Sequence, residues 1–144
     1  MSVREPRTAD AAVLVDTGPL VALFDTQDPF HIKARATLVG LRSTPLVSCE
    51  AVVTEASHLL RSTARRSALQ TWLGLGHIEV RSVAREGRAA LVAAMVKYAD
   101  LPMDYADAVL VHLATVGRIT RIWSYDRRDF SVYRVRGRSL RILE

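Results

Sequence analysis

The sequence has little of what builds disulfide frameworks, sulfur-based metal sites or membrane spans. Cys49 is the only cysteine among 144 residues, which excludes an intramolecular disulfide and any zinc site built from cysteines. No segment approaches the ~18 consecutive apolar residues that a membrane helix needs. The N-terminal stretch MSVREPRTAD lacks the apolar centre of a secretory signal. We therefore expect a cytoplasmic protein that makes no membrane contact.

Lysine is also scarce, because only Lys33 and Lys97 carry an ammonium group and the other basic side chains are arginines. The 20 basic residues outnumber the 15 acidic ones, which gives a net charge of +5. Arginines are concentrated in residues 61–66, 118–128 and 134–141. This excess of positive charge favours an anionic partner such as nucleic acid.

Short apolar segments of strand length alternate with longer helical segments along the whole chain. The predicted strands are residues 11–15, 44–49, 77–83 and 119–124, followed by an edge strand in the tail, 134–143. The predicted helices are a short one ending near Phe24 and segments at 30–41, 50–62, 65–75, 86–98 and 104–116, the last closed by Gly117. This alternation predicts an α/β fold with a mostly parallel twisted sheet flanked by helices. Because no linker or repeat interrupts it, we expect one domain over residues 1–144, with residues 1–11 as an arm before the fold.

Asp16 stands at the end of the first predicted strand, in the stretch AAVLVDTGPL. The apolar residues before it are typical of a parallel strand buried on both faces, and Gly18 and Pro19 favour a turn into a helix. Ligands of open α/β sheets bind beyond the carboxyl ends of the strands, so Asp16 is a candidate site residue. Ordinary turn chemistry explains the same residues equally well, and this stretch alone leaves both interpretations open.

Glu55 interrupts the apolar face of the helix predicted after the second strand. At about 100° per residue it lies within about 60° of Val52 and Leu59, and a charge in that stripe needs a partner. Glu50 is turned about 140° away from Glu55, and the helix dipole explains an acid in the first turn. Glu55 is therefore the candidate from this helix, and an assisting role for Glu50 stays open.

Two further candidate acids come late in the chain. Asp107 begins an apolar stripe on the helix predicted at 104–116, but Asp104 as N-cap with Asp107 three residues later also suits a purely capping role. Asp126 follows the strand at 119–124 as Asp16 follows the first strand. Asp129 is either a peripheral ligand or the partner of a neighbouring arginine. Whether Asp104 or Asp129 assists the site stays open.

Convergence of these acids would bring about four negative charges together. Such a cluster needs cations, because repulsion between like charges otherwise raises the pKa values of the carboxyl groups or unfolds the protein. Oxygen ligands without cysteine favour Mg²⁺ or Mn²⁺. The four histidines show neither HxxxH nor HExxH spacing and are expected to be surface or hydrogen-bonded core residues.

Four blocks of the sequence resemble the PIN domain family, and in particular the VapC-type toxins of bacterial toxin–antitoxin pairs. The blocks are VLVDTGPLVALFD, VVTEASHLL, PMDYADAVLVHLA and IWSYDRRDF, in the family's order from Val13 to Phe130. The resemblance implies a PIN-like three-layer sandwich. The metal-binding acids that it implies are Asp16, Glu55, Asp107 and Asp126. Thr17 and Ser124 match hydroxyl positions beside these acids, with serine at 124 where threonine is commoner.

A PIN domain of this type implies a metal-dependent endoribonuclease that is neutralised by a cognate antitoxin and forms a homodimer. Divalent cations held by carboxylates activate water and stabilise the charge that develops in phosphodiester hydrolysis. Asp16 is expected between the metal sites, which Asp107 and Asp126 complete. Glu55 is expected to hold a metal or to orient the water. Thr17 is expected to steady the carboxylates by hydrogen bonding, as is Ser124.

The resemblance also suggests where RNA and protein partners bind. Arg127, Arg128 and the arginines of residues 61–66 are expected to contact phosphates, which would make RNA binding salt-dependent. RNA as the substrate follows from the resemblance alone, because no residue pattern here indicates recognition of a 2′-hydroxyl. An antitoxin is expected to cover apolar surface on the helices at 30–41 and 50–60.

Other functions are compatible with part of the pattern. Aspartyl-phosphate chemistry at Asp16 is disfavoured, because phosphatases of that kind have a second aspartate two residues later, where this chain has Gly18. A receiver domain is disfavoured because it needs a lysine late in the chain, and neither Lys33 nor Lys97 is placed for that role. A binding module without catalysis stays open, and it should tolerate Asp16→Asn without functional loss.

Overall fold

The computed structural model describes residues 11–144, so residues 1–10 of the expected N-terminal arm lie outside the described residues. Its main sheet contains β1 (Val13–Val15), β2 (Leu46–Cys49), β3 (Glu79–Arg81), β4 (Arg121–Trp123) and β7 (Arg141–Leu143). The spatial order is β3-β2-β1-β4-β7, and every neighbouring pair is parallel. The strands β5 (Arg134–Val135) and β6 (Arg138–Ser139) form a separate antiparallel hairpin. The α/β fold with a mostly parallel sheet that the sequence predicts is confirmed.

Seven α-helices flank the sheet within residues 11–144. They are α1 (Thr17–Phe24), α2 (His31–Gly40), α3 (Glu50–Leu59), α4 (Thr63–Gly74), α5 (Arg88–Lys97), α6 (Tyr105–Gly117) and α7 (Arg127–Phe130). A 3-10 turn at Arg85–Gly87 leads into α5. None of the helices in the described part of the chain is long and apolar enough to cross a membrane.

Strands are added first on one side of β1 and then on its other side. From β1 the chain proceeds outwards through β2 to β3 and then returns to add β4 and β7 on the other side. The boundary between β1 and β4 is therefore the switch point of the sheet, where open parallel sheets form a crevice at the carboxyl ends of their strands. Asp16 follows β1 and Ser124 follows β4, so both residues stand at this crevice.

The central strands are buried because they carry apolar residues on both faces. Val13, Leu14 and Val15 in β1 have no exposed surface, and Ile122 and Trp123 in β4 are equally buried. Burial of one such aliphatic side chain stabilises the fold by about 1.5–3 kcal/mol relative to exposure. This packed centre fixes the ends of β1 and β4, from which the candidate site residues extend.

The C-terminal tail forms two structures where the sequence predicts one strand. Residues 134–139 fold back as the β5–β6 hairpin, and only β7 forms the sheet edge. Arg136 and Gly137 connect the hairpin strands with positive φ angles of 51° and 81°. A two-residue turn of this hand matches the twist of the paired strands. The turn at Arg136 and Gly137 therefore makes residues 134–139 a hairpin that is separate from β7.

The end of α6 also differs from the prediction. The helix continues through Gly117, and Arg118 adopts the left-handed conformation with φ 53° while its N–H donates to the Ala114 carbonyl. Arg118 therefore ends the helix, and Gly117 has a packing role. A Cβ at Gly117 would lie 3.2 Å from Nη1 of Arg81 and 3.4 Å from the Ile119 side chain, so a side chain there would need small shifts of these neighbours.

Candidate active site

A cavity of about 530 Å³ opens at the carboxyl ends of β1 and β4. Six carboxylate residues line it, namely Asp16, Asp28, Glu55, Asp104, Asp107 and Asp126. No lysine or arginine is among its lining residues. The four acids predicted from the sequence thus line one cavity, together with Asp28 and Asp104. We call this cavity the acid pocket.

Asp16 is held at the start of α1 by hydrogen bonds to both of its carboxylate oxygens. Oδ1 accepts from the backbone N–H of Thr17 at 2.8 Å, and Oδ2 accepts from the hydroxyl of Ser124 at 2.8 Å. The residue is only 9% exposed. Burial raises the pKa of Asp16 from 3.8 to about 6, the two hydrogen bonds limit that rise, and the charges of Glu55 and Asp126 add to it.

Ser124 links two of the acidic positions through one hydroxyl group. Its Oγ donates to Asp16 and accepts the backbone N–H of Asp126 at 3.0 Å. Ser124 is completely buried, so its hydroxyl has a fixed orientation. This contact joins the end of β1 to the residue that caps α7. The hydroxyl that the sequence suggests beside the acids therefore contacts Asp16 directly.

Asp107 lies on the first turn of α6 but does not cap that helix. Asp104 is the cap, and its Oδ1 accepts the backbone N–H of Asp107 at 2.8 Å. The carboxylate of Asp107 is 8% exposed and accepts a hydrogen bond from the hydroxyl of Tyr133 at 2.8 Å. Burial raises the pKa of Asp107 from 3.8 to about 7, and the Tyr133 bond opposes the rise. Helix capping therefore explains Asp104 but not Asp107, whose side chain lines the pocket.

Tyr133 is a residue of the site that the sequence does not indicate. It is completely buried, and the rings of Tyr98 and Phe130 contact it edge to face at centroid distances of 5.0 and 5.4 Å. Burial and the bond to Asp107 raise the pKa of the Tyr133 phenol, so it stays a hydrogen-bond donor. It comes from the segment between α7 and β5, where no periodic pattern distinguishes it.

Glu55 reaches the acid pocket from α3. Its Oε2 accepts a hydrogen bond from the Thr17 hydroxyl at 3.1 Å. The sequence predicts that Glu55 interrupts a buried apolar stripe that includes Leu59. This prediction is wrong for Leu59, which is 45% exposed and lines the same pocket. Val52 is buried, so Glu55 stands at the border between the buried face of α3 and the cavity. Glu50 does not line the acid pocket.

Asp126 combines a place in the pocket with a capping role. It precedes α7, and its Oδ1 accepts the backbone N–H of Asp129 at 3.1 Å. Asp129 does not line the acid pocket, and within residues 11–144 it forms no ion pair with a neighbouring arginine. Arg127 pairs with Glu144 instead. The arginine partner expected for Asp129 is therefore absent from the described contacts, and its role as a peripheral ligand stays a prediction.

An aromatic pair forms one side of the acid pocket. The rings of Phe30 and Tyr125 stack with centroids 4.4 Å apart and an interplanar angle of 18°. Phe30 is 43% exposed, and the buried Tyr125 hydroxyl has no partner among the described residues. A Cβ at Gly18 would lie 3.3 Å from the Tyr125 ring, so glycine at this position leaves room for that ring.

The side chains of the pocket do not form a closed metal cage. In the described range, no group of three or more His, Cys, Asp or Glu residues is arranged so that it could hold a metal ion. Histidine does not contribute, because no histidine lines the acid pocket. The donor chemistry is that of carboxylate oxygens, which suit hard divalent cations. The arrangement can attract such a cation without enclosing it.

Comparison with known proteins relates this arrangement to a family. The crystal structure of Mycobacterium tuberculosis VapC20, described as a toxin that cleaves the sarcin-ricin loop, matches this chain with a TM-score of 0.75. The match covers 88% of this chain and 98% of that chain at 17% sequence identity, so the likeness is one of fold. No curated protein sequence matches this chain. The PIN domain family model matches residues 13–136, and the chain therefore belongs to the PIN domain family.

Proposed function

We propose that this protein is a metal-dependent endoribonuclease of the VapC type, the toxin of a toxin–antitoxin pair. One observation carries the proposal: four acids from distant parts of the sequence line one cavity at the carboxyl ends of β1 and β4, with no basic residue in its lining. Membership of the PIN domain family and the fold shared with a toxin described as cleaving the sarcin-ricin loop support it.

The donor set fits Mg²⁺ or Mn²⁺. The ion would be held by Asp16, Glu55, Asp107 and Asp126. Mg²⁺ keeps several of its waters and is often bound by one or two carboxylates together with substrate phosphates, so a closed protein cage is not required. When bound, such an ion lowers the pKa of a coordinated water and stabilises the charge on the phosphoryl group during hydrolysis.

The chain's own residues prepare the acids for this role. Three hydroxyl groups, those of Thr17, Ser124 and Tyr133, each donate to a different carboxylate of the pocket. These bonds fix the orientation of the carboxylates before a cation or substrate arrives. Because the pKa values of Asp16 and Asp107 are raised to about 6 and about 7, protons compete with cations at these two groups near neutral pH.

The aromatic side of the pocket offers a contact for a nucleotide base. The exposed ring of Phe30, supported from behind by Tyr125, is available for stacking with a base next to the phosphate that is cleaved. Stacking of this kind tolerates every base, so it positions RNA without selecting a sequence. We therefore assign Phe30 to substrate positioning.

Apolar side chains on α2 and α3 offer a surface to the cognate antitoxin. Ile32 and Val39 on α2 are exposed, as is Leu59 beside the acid pocket. An apolar segment of an antitoxin laid across these residues would cover the mouth of the pocket and block access of RNA. Pairing of two copies into a homodimer is part of the same proposal, with light scattering on the purified protein as its direct measurement.

A binding module without catalysis is the second candidate. It is favoured by the finding that the described residues hold no group of three ligands arranged for a metal ion. A module of this kind would associate with RNA or protein and would need neither cation nor ionised carboxylates. Substitution of Asp16 separates the two candidates, because only an enzyme loses its function through that change.

The proposal is tested by incubating purified protein with labelled RNA in EDTA, Mg²⁺ or Mn²⁺. Wild type is compared with Asp16→Asn and Glu55→Gln, and with Asp100→Asn, which removes an exposed carboxylate outside the acid pocket. We expect cleavage only with metal, retained by Asp100→Asn and lost in the two pocket variants. Equal cleavage by Asp16→Asn would reveal a contaminating nuclease and overturn the assignment. RNA binding without cleavage by wild type would favour the binding module.

A further inference from the structure

We propose that a second cavity, rich in arginine, binds the phosphate backbone of RNA away from the acid pocket. This inference rests on the proposed ribonuclease function and adds a separate substrate-binding surface to it. The cavity has a volume of about 600 Å³, and its lining residues include Arg118, Arg121, Arg136, Arg138 and Arg141. We call it the arginine groove.

The arginine groove lies at the opposite end of the strands from the acids. Arg121 and Arg141 begin the neighbouring parallel strands β4 and β7, whereas Ser124 follows the end of β4. Three residues of extended chain span roughly 10 Å. The length of β4 therefore contributes at least this distance to the separation between the groove and the acid pocket, and an RNA has to be long enough to bridge it in order to contact both.

The positive charge of the groove is not neutralised by the described part of the protein. No aspartate or glutamate is among its lining residues. None of its five arginines takes part in the ion pairs formed within residues 11–144. By contrast, Arg65 pairs with Asp25 and Arg127 pairs with Glu144, so two arginines expected at the pocket mouth are already engaged by carboxylates.

Two of these arginines occupy backbone conformations that an arginine adopts at a cost. Arg118 and Arg136 have φ angles of 53° and 51°, in the left-handed region that favours glycine or asparagine. Arg136 occupies the first position of a two-residue hairpin turn, where asparagine is preferred. At both positions arginine stands where the helix end and the hairpin turn would suit glycine or asparagine better.

Arg121 has an unused donor at the same place. Its Nη2 donates to the carbonyl of Ala11 at 3.0 Å, whereas its buried Nε has no partner among the described residues. A buried N–H without an acceptor is unfavourable. The Ala11 contact engages one nitrogen of the guanidinium and leaves Nη1 without a described hydrogen bond at the groove.

Phosphate is the anion that this arrangement fits best. Guanidinium groups bind phosphate oxygens through two parallel hydrogen bonds, and five of them around one open groove match a chain of phosphates more closely than a single ion. Without a bound cation the acid pocket, which has no basic lining residue, repels phosphates, and with one it contacts only the phosphate at the cleaved bond. A nuclease with such a pocket needs its phosphate contacts elsewhere, and the arginine groove supplies them.

The experiment measures binding of fluorescent single-stranded RNA in EDTA, so that cleavage cannot interfere. The double variant Arg136→Gln/Arg138→Gln is compared with Arg35→Gln/Arg85→Gln, which removes the same charge from exposed positions outside both cavities. Arg141→Gln is a second groove variant. We expect a tenfold or larger increase in Kd for the groove variants and little change for the control. The slope of log Kd against log salt should fall by about 0.7 for each phosphate that a variant no longer neutralises.

The outcomes separate this inference from the ribonuclease assignment. Equal RNA affinity of the two double variants at unchanged melting temperature would overturn the arginine groove, whatever the cleavage assay shows. Weaker RNA binding by the groove variants supports it even if no RNA is cut. Competition with poly-glutamate distinguishes a protein partner: if the groove variants lose affinity for the acidic peptide but keep it for RNA, the RNA assignment is wrong.

Discussion

The phenolic hydroxyl of Tyr133 donates a 2.8 Å hydrogen bond to Oδ2 of Asp107, across 26 residues of sequence. Tyr133 is completely buried against Phe130 and Tyr98, so this donor has little freedom to move. The bond stabilises the ionised form of Asp107 against the burial that raises its pKa. Tyr133 is thus a positioning residue for one acid of the pocket.

Removal of this hydroxyl should change the pH dependence of cleavage. In Tyr133→Phe the pKa of Asp107 rises further, so the acidic limb of the activity profile should move to higher pH and cleavage at pH 7 should fall by roughly tenfold. Loss of the buried hydrogen bond should cost about 1 kcal/mol of stability. The control Tyr105→Phe removes an exposed hydroxyl that contacts Arg88. An unchanged profile in Tyr133→Phe would contradict the role of Tyr133.

The metal-free protein should lose stability as the pH rises through neutrality. The pKa values of Asp16 and Asp107 are raised in the folded state to about 6 and about 7, above the ordinary value of 3.8. Their contribution is therefore fully present below pH 4, declines from there as the pH rises, and is lost once the pH has passed about 6 for Asp16 and about 7 for Asp107. Between pH 5 and pH 8 in EDTA we expect a loss on the order of 4 kcal/mol, measured by urea denaturation. Asp16→Asn/Asp107→Asn should flatten this slope, and a gain in stability between pH 5 and pH 8 would contradict the assignment.

Divalent cations should reverse that loss. A ligand that binds only the folded state at 100 times its Kd contributes about 2.7 kcal/mol, which raises the melting temperature of a domain of this size by about 5–10 °C. We expect this rise with Mg²⁺ or Mn²⁺ at pH 8 in wild type and in Asp100→Asn. Asp16→Asn should show a much smaller rise. Identical rises in all three proteins would place the cation outside the acid pocket.

Truncation of the exposed aromatic ring should weaken substrate binding more than the chemical step. Stacking of one base on an aromatic ring is worth about 1–3 kcal/mol, so Phe30→Ala should raise KM by at least about fivefold with kcat nearly unchanged. Ile32→Ala is the control, because Ile32 is exposed on α2 and does not line the acid pocket. Equal effects of the two substitutions would argue against stacking on Phe30. Steady-state cleavage kinetics provide the measurement.

The sequence is sufficient to locate acids that follow buried strands. Asp16 is recognisable because an unbroken apolar segment ends just before it, and Asp126 because it comes within two residues of the predicted strand 119–124, which are local signals. Their convergence depends on the sheet order, which puts β1 beside β4. The parallel α/β pattern predicts a crevice of this kind, so the main features of the pocket are accessible from the sequence.

Other features depend on packing that periodicity does not encode. Leu59 lies on the apolar stripe of α3 by spacing, but it is exposed because a cavity, not the core, faces that turn of the helix. Tyr133 contacts Asp107 through a long-range fold of the tail, and no local pattern marks it. The arginines of residues 118–121 and 136–141 are separate clusters in the sequence, and only the hairpin and the β4–β7 pairing bring them together.

The opposite charges at the two ends of β4 give the molecule an electric dipole moment along the strand direction. As the protein diffuses towards a polyanion, the field of that polyanion exerts a torque that turns the arginine groove forwards and the acid pocket away. First contact should therefore be made by the basic end, and the acids should meet the phosphates only after capture. The rate of capture should fall steeply with ionic strength, because salt screens this orienting torque over distances of about 10 Å.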